Sequence, residues 1–207
     1  MGLNLTKMDK GGRLNLSKKS QDEAGKKLSK LKVGVAWDFE EGLDADLDAV
    51  VLLLDENNKC VGQAMGENLP KEGAIYYNNR FFREDIVQLS EDNRDGKGDG
   101  DDETAVINLD KIPADVKKIL TVVTICNEEG KPKTVFGQID VAKVNLYDEE
   151  SGEQLSNFDL SENASTNTSV IMSEIYRNDS GDWMVKTVGK PMGEAQNGLY
   201  DVLGKYN

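Results

Sequence analysis

The sequence predicts an all-β, mainly antiparallel fold: a β-sandwich of two sheets with a few short helices. Three observations carry that expectation. Short runs rich in β-branched and aromatic residues recur along most of the chain. Hairpin-type turn sequences such as ENNK, EEGK and EESGE punctuate them, and no long amphipathic helical pattern stands between them. The 207 residues suit one domain, and no compositional break divides residues 31–207. Residues 1–207 are therefore read as a single domain.

Taken in order, LNLTK at 3–7 and LNLSK at 14–18 echo each other around a Gly-Gly turn. Their alternating leucines suggest two short strands. Residues 18–30, KKSQDEAGKKLSK, carry many charges and little for a core, so they read as an exposed, mobile connection. Strand-like runs come next at 31–37, 49–55, 74–78, 85–89, 104–109 and 117–125, and again at 142–148, 169–176 and 182–188. IPADV at 112–116 suits one helical turn, and NGLYDVLGKYN at 197–207 a short C-terminal helix with Leu199 and Leu203 inward.

Composition narrows the chemistry. A net charge of −13 disfavours nucleic acid and anionic lipid and leaves cations or basic partners as counterparts. There are no histidines, which removes His-based triads, His zinc sites and the usual neutral-pH base. Oxygen ligands abound, so any metal should be calcium or magnesium. Cys60 and Cys126 form no CxxC and imply no disulfide framework. No stretch resembles a signal peptide or a membrane span, and the Met1-Gly2…Thr6 match to a myristoylation pattern is loose. A reducing cytoplasm is the expected setting.

Two acidic segments stand out. EDNRDGKGDGDDE at 91–103 holds seven carboxylates and three glycines, and WDFEEGLDADLDA at 37–49 holds six acids and no base. Crowded like charges repel, so such a run either stays solvated or is held by a cation. Each lies between strand-like runs, which pins its ends. In extended backbone Asp44, Asp46 and Asp48 would point to one side. Calcium takes six to eight oxygens, more than one short loop readily supplies, whereas two acidic loops meeting at one end of a sandwich could. An EF-hand is excluded. With Asp92 at its first position Glu103 falls at the twelfth, but Arg94 and Lys97 occupy the third position and the glycine position. A calcium site on a β scaffold remains.

These segments also carry a family resemblance. LKVGVAWD, DADLDAVVLLLDENNK, YYNNRFF, EDNRDGKGDGDDE, INLDKIPADVKKILTVVTI, FGQIDVAKVNLYD, LSENASTNTSVIMSEIYR and WMVKTVGK resemble, in order and over nearly the whole chain, the TerD family of tellurium-resistance and stress-response proteins. The resemblance implies a calcium-binding β-sandwich without assigned enzymatic activity. It implies metal roles for Asp38, Asp46, Asp48, Asp92, Asn93, Asp101, Asp102 and Glu103, with Asp95 and Asp99 at freer positions. Expected partners are Ca2+ and other proteins of a stress or tellurium-resistance system. Four departures are visible: Glu91 and Ala36 stand where the family usually has glycine, VGKP at 188–191 replaces VGQG, and residues 18–30 are charged beyond the family norm.

Two functions from different classes are weighed: a metal-ordered interaction module, and a metal-dependent hydrolase whose carboxylates hold Ca or Mg to activate water. The hydrolase needs a base and gripping cations, and only Arg80, Arg83, Arg94 and Lys97 lie near in sequence. The binder is the expectation, and no enzyme. Elsewhere, Cys126 reads as a small buried hydrophobe, Trp37 and Trp183 as core or edge anchors, YYNN at 76–79 as a strand end and turn, and SENASTNTS at 161–169 as a connection.

Overall fold

Strand pairing sorts the chain into two sheets. The computed structural model describes residues 6–39, 46–93, 100–127, 129–130, 132–159 and 166–207. In chain order the strands are β1 (Thr6–Lys7), β2 (Arg13–Asn15), β3 (Lys30–Phe39), β4 (Asp46–Leu54), β5 (Ala74–Ile75), β6 (Phe81–Phe82), β7 (Val87–Leu89), β8 (Glu103–Asn108), β9 (Lys118–Cys126), β10 (Ile139–Asp148), β11 (Gln154–Asp159), β12 (Ser169–Arg177) and β13 (Trp183–Met192). The helices are α1 (Leu16–Ala24) and α2 (Gly198–Tyr206). The seven-stranded sheet runs β1-β11-β10-β3-β8-β7-β6 and the six-stranded sheet β2-β13-β12-β9-β4-β5. Pairing is antiparallel throughout except between β1 and β11. The expected sandwich is the observed fold.

The core lies between the sheets. Leu31, Val33, Val35 and Trp37 of β3 meet Leu47, Ala49, Val51 and Leu53 of β4 in one buried cluster. A second cluster covers the other face of the six-stranded sheet, where Val50, Leu52 and Leu54 of β4 pack with Leu199, Val202 and Tyr206 of α2. Strand β4 is thus apolar on both faces, which is why AVVLLL reads as a continuous run instead of an alternation. Leu199 and Leu203 pack against this cluster as expected, with Leu203 only half-buried.

Several expectations are corrected. The charged stretch read as an exposed connection is helix α1 through Ala24, and Leu16, Ser20 and Leu28 are fully buried. Asn15 caps the helix by accepting the Lys18 N–H at 2.9 Å. Gly25 ends it at φ 68°, the left-handed conformation in which glycine has no Cβ to clash. Ser20 then donates to the buried Asp148 carboxylate at 2.7 Å, tying α1 to the end of β10. The second LNLSK copy is accordingly strand, cap and helix start; of the first, residues 3–5 lie outside the described residues.

Strands β6 and β11 were not foreseen. IPADV forms a turn closed by Val116 N–H to Pro113 C=O at 3.1 Å, not a helix. Trp37 and Trp183 are buried, as expected of anchors. Both cysteines are free; Cys60 is buried and Cys126 only half-buried, with Asn197 Nδ2 at 3.1 Å from its sulfur. Among the described residues no helix is long and apolar enough to cross a membrane.

Leu53 is fully buried between the sheets. Leu53→Ala should lower the urea-unfolding free energy by about 2–5 kcal/mol through lost transfer energy and a cavity. Tyr200→Ala, at a side chain 69 % exposed, should change it by less than about 1 kcal/mol.

Candidate metal centre

The site is built where β4 outruns its neighbour. Strand β5 pairs only with Val51 and Leu52, while β9 follows β4 from Asp46 to Leu54. Among the described residues, the first residues of β4 therefore have a strand on one side only. Asp46 and Asp48, two apart in extended backbone, point to the same side, continuing the face of Val50 and Leu52. They are strand residues, not loop residues as the sequence suggested.

The other wall comes from the opposite sheet. Ser90 and Thr104 close the neck of the 91–103 segment through Ser90 N–H to Thr104 C=O at 2.8 Å and Thr104 N–H to Ser90 Oγ at 3.0 Å. Beyond that neck Asp92 reaches the β4 acids. Carboxylate oxygens of Asp46, Asp48 and Asp92 all lie within 4.8 Å of one another. Two oxygens on one calcium ion, each at about 2.3–2.6 Å, stand at most about 5 Å apart. The three oxygens therefore lie within the reach of one calcium, and every donor is a hard oxygen of the kind calcium takes.

Glu103 joins the parts. It sits opposite Val35 in the ladder and so faces inward, 2 % exposed. Its Oε2 accepts the Ala49 N–H at 2.6 Å and its Oε1 the Asn93 N–H at 3.2 Å. One carboxylate thus links β8, the unpaired edge of β4 and the acidic segment. Burial lifts its carboxyl from 4.5 to about 7; the two N–H bonds oppose that rise, and Asp92 and Asp46 add to it.

Asp102 holds the chain beside it. Its N–H donates to Val35 C=O and its Oδ2 accepts the Trp37 N–H, both at 2.8 Å. Asn93 Nδ2 stands 3.4 Å from Asp102 Oδ1 and from its carbonyl. Asp101 turns the other way, to the outer face of the seven-stranded sheet, where Asn145 donates to it at 2.6 Å.

Of the eight residues expected at a metal, the structure thus brings together Asp46, Asp48 and Asp92, with Glu103, Asn93 and Asp102 bound around them. It does not bring Asp101 there. Asp38 lies in β3 opposite Val141, and its side chain lies outside the described residues. So do Asp44, Asp95 and Asp99, and residues 161–165 of the polar connection. Asn79 serves its turn, donating to Ala74 C=O at 2.7 Å. What sequence reasoning missed is the supporting set: Ser90, the Ala49 and Trp37 N–H groups, Gly34 and Asn145. Backbone donors leave no mark in sequence. Gly34 interrupts the strand-like run LKVGVAW and was the available signal.

The TerD domain model matches residues 4–206. The chain belongs to the TerD family. It is 36 % identical over 201 residues to tellurium resistance protein TerD of Serratia marcescens, covering 96 % of this chain and 95 % of that protein. It is 37 % identical over 183 residues to general stress protein 16U of Bacillus subtilis strain 168, covering 87 % of each. A crystal structure of a homologue of telluride resistance protein TerD from Streptomyces coelicolor A3(2) superposes with a TM-score of 0.65 at 17 % identity, covering 87 % of this chain and 99 % of that one. That likeness concerns the fold.

The departures from the TerD pattern take definite positions in the fold. Glu91 is exposed and reaches Arg80 Nη1 at 3.7 Å, so it leaves the cluster uncrowded. Ala36 is half-buried opposite Lys143, and Pro191 lies within β13 opposite Val170.

Glu103 makes stability depend on pH. Its folded value near 7 exceeds its ordinary 4.5, so the fold favours the protonated acid. That contribution is fully present below about pH 4.5 and is lost as pH rises through about 7. In calcium-free buffer the urea midpoint should fall between pH 5 and pH 8, and Glu103→Gln should flatten that fall. An unchanged pH profile in the variant would contradict it.

Proposed function

We propose that this TerD-family chain is a calcium-binding stress-response protein of the cytoplasm, in which the ion orders the acidic segments into a surface for other proteins of a stress or tellurium-resistance system. The observation that carries the reading is the convergence of Asp46 and Asp48 from one sheet with Asp92 from the other. An ion there would draw together strands that the charges push apart. The names of the relatives, tellurium resistance and general stress protein, support the setting.

A neighbouring groove supports the interaction role. It has a volume of about 410 Å³ and is lined by Leu69, Tyr76, Tyr77, Tyr200 and Leu203 among others. Leu69 is 50 % exposed, and Tyr77 adjoins the acids: burial raises its hydroxyl's pKa, and Asp48 adds to the rise. Aromatic and apolar residues open to solvent suit protein contact. The hydrolase reading gains less. Its best base, Glu103, is buried and engaged by two backbone N–H groups, out of reach of a substrate.

Calorimetric titration and thermal melting test the proposal. Calcium at about 100 times its Kd should stabilise the fold by about 2.7 kcal/mol. Magnesium should bind more weakly, because its strict octahedron suits this carboxylate-rich, glycine-rich site poorly. Asp48→Asn should weaken calcium on the order of tenfold or more. A melting temperature equal in chelator and in millimolar calcium would refute the reading.

A further inference from the structure

We infer that Asp101 is a positioning residue that latches the acidic segment to the outer face of the seven-stranded sheet, and that Gly34, Asn145 and Tyr147 form its socket. The inference rests on the calcium reading for its functional consequence, though not for its geometry. In β3 the side chains of Leu31, Val33, Val35 and Trp37 enter the core, so position 34 faces outward. Gly34 leaves a notch there, and the Asp101 carboxylate fills it. A Cβ on Gly34 would stand 2.1 Å from Asp101 Cγ and 2.1 Å from Oδ2.

Strand β10, paired with β3, supplies the hold. Asn145 lies opposite Gly34 and donates to Asp101 Oδ1 at 2.6 Å. Gln154 of β11 in turn donates to Asn145 Oδ1 at 3.0 Å, fixing the amide so that its NH2 points at the acid. Tyr147 also donates its hydroxyl to Asp101, and Lys32 lies 4.4 Å from the centre of the Tyr147 ring. Two strands thus hold one carboxylate, and a third fixes the amide that holds it.

The grip fixes the two residues after Asp101. The Asp102 carboxylate accepts the Trp37 N–H of β3, and the Glu103 carboxylate accepts the Ala49 N–H of the opposite sheet. Asp101 faces outward and Glu103, two residues on, faces inward, so the chain departs from strand alternation at Asp102, whose N–H donates to Val35 C=O. The seat of Asp101 in its notch holds this turn into β8 and with it the register that sends Glu103 inward. A one-residue slip would reverse these directions. Asp101 thus acts on the ion site through the two acids after it, as an outer-shell partner does.

The test separates a latch from a ligand. Asp101→Asn keeps an oxygen for Asn145 and fills the same notch, but loses the charge a ligand needs. Gly34→Ala and Asn145→Ala leave Asp101 intact and disturb only the socket. Calcium affinity by calorimetry should change less than about threefold in Asp101→Asn and fall about tenfold in Asn145→Ala and Gly34→Ala. Amide exchange in calcium-free protein should show Trp37 and Ala49 N–H groups deprotected in Asn145→Ala and Gly34→Ala and retained in Asp101→Asn. If Asp101→Asn loses calcium strongly while Asn145→Ala binds normally, Asp101 is a ligand and the inference is overturned. If the unaltered protein binds no calcium, the calcium reading fails. The exchange pattern still decides the latch: unchanged protection in Asn145→Ala overturns it. Should Gly34→Ala fail to fold, Asn145→Ala carries both measurements.

Discussion

The Glu103 carboxylate ties the two sheets together at the end where the acids gather. A buried carboxylate costs several kcal/mol unless it is well bonded, and Glu103 has an N–H partner on each oxygen. Those partners belong to β4 in one sheet and to the acidic segment in the other half of the molecule. Around this tie Asp46, Asp48 and Asp92 are drawn to within 4.8 Å, although their repulsion opposes it. The fold therefore holds a concentrated negative charge in place; burial lifts the Glu103 carboxyl to about 7, and the nearby Asp92 and Asp46 add to that rise. A divalent cation would relieve what the hydrogen bonds only contain.

Much of the fold was legible because burial shapes composition. Strands β4 and β9 are buried on both faces; β4 shows the apolar run AVVLLL after its two aspartates, and β9 a β-branched run in which Thr121 and Thr124 are the polar members. The C-terminal helix showed Leu199 and Leu203 at helical spacing. The hidden elements have their core contacts carried by few residues. Helix α1 buries Leu16 and Ser20 one turn apart, and its surface of lysines and acids masks them. Strand β11 buries Leu155, Ser156 and Phe158 within a polar stretch. Hydroxyls that hydrogen-bond indoors look like solvent residues in sequence.

The site divides along the same line. Clustered carboxylates made Asp46, Asp48 and Asp92 visible, and the TerD resemblance added their neighbours. Sequence could not say that consecutive acids part company. Asp101 seats against Gly34 on the outer face, Asp102 caps the Trp37 N–H, and Glu103 turns into the core. Three adjacent carboxylates thus serve three separate purposes, and only the pairing of β3 with β8 and β10 assigns them. The acids nearest the β4 edge are held by backbone N–H groups, whose positions no residue type encodes.

The most direct measurement is a crystal structure grown in calcium, with the ion located by its anomalous scattering. The account requires one calcium bonded to oxygens of Asp46, Asp48 and Asp92, with Glu103 still accepting the Ala49 N–H and Asp101 still seated at Gly34. An ion held elsewhere with these three acids unbound, or crystals whose acid cluster excludes calcium at saturating concentration, would contradict it.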